Sequence, residues 1–329
     1  MAIGWGIMGC GQLADAQIAP AIRQTPNAKL VAVLSRDEEK GRQFAAKHSA
    51  SRSYHRLDDF LADPDIQAVY VVTPPVLHCS QVLASVKAGK HVLVDKPMAM
   101  NVAEAAHMVD AARRAGVKLM VGFMMRYNPY NRKARDMIRQ GAIGKVVHIS
   151  VHACYQRGPT PFNWRLDPAI SGGGSLMDMG SHGIDLLRFF GGEIAEITAF
   201  VGNRVYDYPV EDSAVGLMKF ADGGTGFLDA SFSERQTPRR IEVLGSEGSL
   251  YIHDTIGRRP DGRIDAFLNG TMQAVTTDAA NIYVGQINEL TLAIIENRDP
   301  DGGGDQGLRN MQIIHAMYES ARCGKYMKV

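Results

Sequence analysis

Two stretches of the chain carry residue types able to handle a proton beside a carbon–oxygen bond. The first is His91-Val92-Leu93-Val94-Asp95-Lys96-Pro97, an apolar β-branched run bounded by Gly89 that reads as a buried strand. Ligands of open parallel sheets sit outside the carboxyl ends of the strands, where Lys96 can hydrogen-bond a substrate oxygen or relay a proton, with Pro97 fixing the turn. Taken alone, the tripeptide is read more simply as an ordinary strand-end lysine in solvent. The second stretch is Gly172-Gly173-Gly174-Ser175-Leu176-Met177-Asp178-Met179-Gly180-Ser181-His182-Gly183-Ile184-Asp185. Its glycine run opens a helix in which Asp178, His182 and Asp185 recur at spacings of four and three, on one face. An imidazole titrates near ~6.5 and trades protons at neutral pH. Asp178 would orient it or contact substrate hydroxyls. The simpler alternative is a buried helix with a satisfied histidine. No further His or Cys at ligand spacing supports a metal.

These groups need a scaffold. Ile3 to Met8, then Gly9-Cys10-Gly11-Gln12-Leu13-Ala14, then Ile18, Ala21 and Ile22 at helical spacing read as strand, glycine turn and helix, matching G-x-G-x-x-A. Gly9 permits the tight turn, Gly11 lets a pyrophosphate approach, and Ala14 allows close helix–sheet packing. The helix start at Gln12 and Leu13 supplies N–H groups and partial positive charge for the phosphates. Pro20 should kink this helix. The next strand ends at Ser35-Arg36, where an NAD-binding chain carries an acidic residue for the ribose. A hydroxyl and a guanidinium suit a 2′-phosphate instead, which favours NADP(H) with NAD(H) as the alternative. Asp37 follows directly, but strand alternation points it elsewhere. The third strand ends in Thr73-Pro74-Pro75-Val76-Leu77-His78, a turn suited to the nicotinamide side, with His78 capping the following helix. Strand and helix alternate through residue 122, which argues a doubly wound parallel (Rossmann) sheet.

Arg126-Tyr127-Asn128-Pro129 falls at the expected crossover into a second domain. From there Val146 to Ala153, Ile194 to Gly202, Ala214 to Phe220, Thr225 to Phe232, Ile241 to Leu244 and Ser249 to His253 read as short strands joined by turns. The expected fold class is therefore α/β, residues 1–122 forming the dinucleotide domain and 123–329 an α+β second domain. The loop 155–168 is expected over the pocket, with Trp164 stacking on an apolar ligand face and Arg157 or Arg165 binding hydroxyls or a carboxylate, or all three serving packing and solvation only. Lys plus Arg (36) balances Asp plus Glu (35) in 329 residues, which disfavours nucleic acid or an anionic membrane as partner. Four scattered cysteines without C-x-x-C spacing, no basic leader and no long apolar run point to a cytoplasmic protein with reduced thiols.

Together the segments resemble the glucose–fructose oxidoreductase/inositol dehydrogenase (Gfo/Idh/MocA) family. The resemblance rests on Gly9-x-Gly11-x-x-Ala14, Thr73-Pro74-Pro75-x-x-His78, Asp95-Lys96-Pro97, Arg126-Tyr127-Asn128-Pro129 and Asp178-x-Gly180-x-His182-x-x-Asp185. It departs where the family usually has Glu at the Asp95 position. The resemblance implies a C-terminal domain whose large, mainly antiparallel open sheet forms a homodimer or homotetramer interface. It also implies Lys96, Asp178 and His182 as the catalytic group, and adds His78, Asp95, Lys96 and Arg126 to the cofactor-facing set. A sugar, polyol or cyclitol carbon would exchange hydride with the nicotinamide, His182 taking or giving the hydroxyl proton and Lys96 bonding the same oxygen. Substrate contacts would come from Lys96, Trp164, Arg165, Asp178, His182 and Tyr283. Two alternatives are a redox-neutral, NAD-recycling glycoside-cleaving enzyme and a non-catalytic dinucleotide sensor. The intact Lys96 and His182 disfavour the sensor.

Overall fold

The computed structural model describes residues 2–160, 163–235 and 239–329. Phe162, within the expected pocket loop, lies outside the described residues. The chain folds as two compact units, residues 1–123 with 283–308 and residues 124–282 with 309–329.

The first unit is built on six parallel strands, β1 (Ile3–Met8), β2 (Ala28–Leu34), β3 (Arg52–Tyr54), β4 (Ala68–Val71), β5 (His91–Val94) and β6 (Leu119–Val121), in the order β3-β2-β1-β4-β5-β6. The order reverses between β1 and β4, which places a ligand crevice at their carboxyl ends. Helices cover both faces, so β1 and β4 are buried along their whole length, as parallel strands require. Local chemistry sets the helix ends. Asn101 Oδ1 accepts the Glu104 N–H at 2.9 Å to start Val102–Ala115, and Gly116 at φ 67 ends it. Pro20 produces no simple kink. A π-turn over Ala14–Ile18 precedes the α-helical Ala19–Gln24, so the residue lacking an N–H sits where the ladder is already changing register. The helix Ile282–Ile295, expected in the second domain, belongs from Tyr283 onward to this unit. Trp5 Nε1 donates to Thr291 Oγ1 at 3.3 Å and Gln286 Nε2 to the Tyr70 hydroxyl at 2.8 Å, both buried, and these contacts hold it there.

The second unit carries β7 (Val146–Cys154), β8 (Ile194–Gly202), β9 (Ser213–Phe220), β10 (Thr225–Ser231), β11 (Arg240–Gly245), β12 (Gly248–His253), β13 (Arg263–Leu268), β14 (Thr271–Val275) and β15 (Met327–Lys328). Their order is β14-β13-β12-β11-β7-β10-β9-β8-β15, antiparallel except where β7 meets β10. The hairpin β13–β14 turns on Asn269 and Gly270, both at positive φ, the Asn-Gly signal of a type I′ turn. The helix Ser181–Gly191 presses Gly183 against Leu228 and Val151, and only a hydrogen fits there: a Cβ would lie 2.3 Å from Leu228 Cδ1. Residues alternating with these face the other side of the sheet, including Phe200 (80% exposed), Leu217, Phe267 and Met272. Among the described residues, no helix is long and apolar enough to cross a membrane.

Candidate active site

In the first unit the predicted residues gather at the carboxyl ends of the parallel strands. The chain leaves β1 through Gly9 at φ +105, where a Cβ would also crowd Thr73 Cγ2 at 3.1 Å. Gly11 differs. A Cβ there would meet nothing within 4 Å, so the backbone opens onto free space in front of a helix whose first residues are Gln12 and Leu13. Ala14, fully buried, packs the helix behind it. Space, exposed N–H groups and the helix dipole fit a dinucleotide pyrophosphate.

At the end of β2, Ser35 is buried and its N–H bonds Tyr54 O at 3.0 Å. Arg36 is exposed and makes no hydrogen bond or ion pair among the described residues. The neighbouring carboxylate is committed elsewhere: Asp37 Oδ1 accepts the Lys40 N–H at 3.0 Å and caps Glu38–His48. After β4, Thr73 Oγ1 donates to Gln81 Oε1 at 2.6 Å, and Pro74 continues extended into the turn. After β5, Asp95 donates its backbone N–H to Val71 O at 2.9 Å, and Lys96 follows, partly exposed, through a cis peptide to Pro97.

The Asp95 carboxylate lies beside Gly122, where a Cβ would meet Asp95 Oδ1 at 3.0 Å and the Tyr70 hydroxyl at 3.2 Å. Burial, followed by the Asp95 and Tyr283 charges, pushes the Tyr70 phenol well above its usual range, so it stays protonated. The shorter acid at position 95 thus overlies a buried Tyr70–Gln286 pair. Tyr283 is buried beside Tyr70 rather than displayed on a surface. His78 is 1% exposed, with Nδ1 2.9 Å from Pro97 O and Nε2 2.8 Å from Thr73 O. Both ring nitrogens are engaged with backbone, so the side chain offers a cofactor nothing.

In the second unit the structure gathers Asp178, Trp164 and Arg165 but not Arg126. Asp178 Oδ2 accepts the Tyr155 hydroxyl at 2.8 Å, with Arg157 Nη2 at 3.7 Å and Arg165 Nε at 3.8 Å. Burial, then the Asp178 charge, raises the Tyr155 phenol strongly and keeps it a donor, while Arg157 donates to its oxygen. Arg165 stacks over Trp164 with 4.2 Å between guanidinium carbon and ring centroid. His182 follows one turn on, 2% exposed, in the first turn of Ser181–Gly191.

Asp178 and Asp185 have different partners in the structure. A π-turn over Leu176–Gly180 widens the helix, turning partly exposed Asp178 toward the arginines. Asp185 is buried and holds Arg126 through Nε (2.8 Å) and Nη2 (2.6 Å), at 4% exposure of the arginine. Arg126, expected to face a cofactor, is therefore spent on a buried ion pair. Sequence reasoning missed Glu211, a buried acid raised by burial despite its hydrogen bonds, which accepts the Gly174 and Leu176 N–H groups and the Tyr318 hydroxyl. It anchors the start of the Asp178 helix from 35 residues away, a distance over which no local pattern operates. Among the described residues one group combines metal-ligand donors: Cys154, Asp229 and Glu234 bring one atom each within 4.8 Å. Burial and then the two carboxylates raise that thiol strongly and keep it protonated.

The sequence profile described as "Oxidoreductase family, NAD-binding Rossmann fold" matches residues 3–123, and that of the GFO/IDH/MocA C-terminal domain matches residues 131–251. The chain belongs to the Gfo/Idh/MocA oxidoreductase family. Among its relatives in that family, 1,5-anhydro-D-fructose reductase of Ensifer adhaerens is 31% identical over 99% of this chain and 98% of its own length. D-Xylose 1-dehydrogenase (NADP(+)) 2 of Haloferax volcanii is 26% identical over 97% of this chain and 98% of its own. The crystal structure of aldose-aldose oxidoreductase from Caulobacter crescentus, complexed with glycerol, superposes with a TM-score of 0.95 at 30% identity, covering 100% of both chains.

Proposed function

We propose that this Gfo/Idh/MocA oxidoreductase uses NADP(H) and acts on a carbonyl or hydroxyl carbon of a sugar, cyclitol or related polyol. The observation that carries the cofactor choice is the pairing at the end of β2: Arg36 exposed with no hydrogen bond or ion pair among the described residues, Asp37 committed to a helix cap. A free guanidinium recognises a 2′-phosphate, and a capping carboxylate is a poor ribose ligand. The sugar class is supported by the names of the full-length relatives from Ensifer and Caulobacter at 31% and 30% identity. The polar cluster on Asp178, with the Trp164 ring beside it, is of the kind that binds hydroxyls and an apolar sugar face.

Gly9, Gly11, Gln12 and Leu13 would hold the pyrophosphate, Ser35 and Arg36 the 2′-phosphate, and Thr73 and Pro74 the nicotinamide side. When bound, the nicotinamide supplies or accepts the hydride. Lys96 donates a hydrogen bond to the substrate oxygen and stabilises its developing negative charge. His182 moves the proton of that oxygen. Asp178, already accepting the Tyr155 hydroxyl beside Arg157 and Arg165, fixes a neighbouring hydroxyl. Self-association through the open sheet face, with exposed Phe200, Leu217, Phe267 and Met272, completes the reading. Titration with NADPH and NADH, wild type beside Arg36→Ala, tests the cofactor assignment.

A further inference from the structure

We propose that His78 is a positioning residue that fixes the turn carrying Lys96 against the turn that follows β4. The inference rests on the role given to Lys96 above. Strands β4 and β5 pair in parallel, and the Asp95 N–H to Val71 O bond at 2.9 Å continues their ladder past β5. Beyond it the chains diverge into Thr73-Pro74-Pro75 and Lys96-Pro97, two turns containing three prolines and therefore few N–H groups for cross-bonding. His78, opening the helix His78–Lys87, fills that gap with one rigid ring. Nδ1 lies 2.9 Å from Pro97 O and Nε2 2.8 Å from Thr73 O, in a site 1% exposed; the neutral ring donates to one of these carbonyls at a time, and the clasp assigns that proton to Nδ1. The contact to Pro97 lies one residue from Lys96, so movement of the ring moves the turn on which the ammonium is mounted. Misplacing a reacting group by about 1 Å costs on the order of 100-fold in rate.

The two ring nitrogens can be tested separately. Asparagine reproduces the reach of Nδ1 and glutamine that of Nε2, so His78→Asn keeps the arm to Pro97 and His78→Gln keeps the arm to Thr73. Amide hydrogen exchange over residues 95–101 reads the Lys96 turn without any substrate. Exchange there is expected to match wild type in His78→Asn and to accelerate in His78→Gln. With the sugar that wild type turns over, kcat is expected to fall about 10- to 100-fold in His78→Gln alone, while NADPH affinity stays close to wild type in both variants. Unchanged exchange at 95–101 in His78→Gln, or equal loss of kcat in the two variants, overturns the proposal. If His78→Gln does not fold, His78→Asn decides: lost protection at 95–101 with the Pro97 arm retained refutes it. A wild type that binds NADPH and turns over no sugar refutes the role of Lys96, while the exchange result still judges the clasp.

Discussion

Replacing Arg36 with alanine should change cofactor choice and nothing else. The guanidinium is exposed and makes no hydrogen bond or ion pair among the described residues, so its removal breaks no internal contact. Stability should stay within about 0.5 kcal/mol of wild type, as for surface positions generally. A hydrogen bond between charged groups contributes roughly 1.5–3 kcal/mol, and each 1.4 kcal/mol is tenfold in affinity. Arg36→Ala is thus expected to weaken NADPH about 10- to 100-fold and leave NADH unchanged. Because the site is open to solvent, that difference should shrink with added salt, whose screening length falls to about 3 Å at 1 M. The assay is a nicotinamide fluorescence titration with each cofactor at two salt concentrations. Asp37→Asn is the control: it keeps an acceptor for the Lys40 N–H and should not alter preference. Equal weakening of both cofactors by Arg36→Ala, a wild-type preference for NADH, or an Asp37→Asn variant that loses NADH affinity would each refute the reasoning.

Three further outcomes follow from the geometry. Gly11→Ala places its methyl where nothing lies within 4 Å, so the melting temperature should hold while dinucleotide binding by calorimetry is lost; retained binding would show that the cradle is elsewhere. Arg126→Met leaves Asp185 buried and uncompensated, a change that costs about 3–5 kcal/mol, and at roughly 2–4 °C per kcal/mol melting should fall on the order of 10 °C, with partial recovery in the Arg126→Met/Asp185→Leu double variant. Burial opposes ionisation of Asp212, but N–H bonds from Arg204, Val205 and Tyr206 at 2.7–2.8 Å prevail and lower its pKa below the usual 3.8. Its stabilisation is therefore present above pH 3.8 and lost as pH falls through the lower folded value, so Asp212→Asn should destabilise by roughly 1–3 kcal/mol at neutral pH and converge with wild type in acid denaturation curves.

The nucleotide-binding half was legible because its signals are local. Gly9, Gly11 and Ala14 act through a turn and a helix start within six residues, and the strand-end positions of Arg36 and Lys96 follow from apolar runs that stop abruptly. Strands β13 and β14 were not read, although Asn269-Gly270 marked their turn: β14 is only five residues long and largely exposed, so its Met272 and Ala274 alternation is short and buries little. The π-turn at Leu176–Gly180 was not legible, because the sequence pattern there was read as regular α-helix. Arg126 resisted reading for a different reason. Its partner Asp185 is 59 residues away, and pairing over such a span is decided by packing rather than by pattern. The return of residues 283–308 to the first unit depends in the same way on contacts such as Gln286 with Tyr70, 216 residues apart.

Hydride transfer itself is the most direct test. Wild type and Lys96→Met would each be incubated with NADPH carrying deuterium at C4 and a panel of carbonyl sugars that includes 1,5-anhydro-D-fructose, and the sugars analysed by mass spectrometry. The expected result is one deuterium on a carbinol carbon of at least one sugar with wild type, and its loss in Lys96→Met while NADPH binding persists. Bound NADPH with no label on any sugar, or equal labelling by Lys96→Met, would contradict the account.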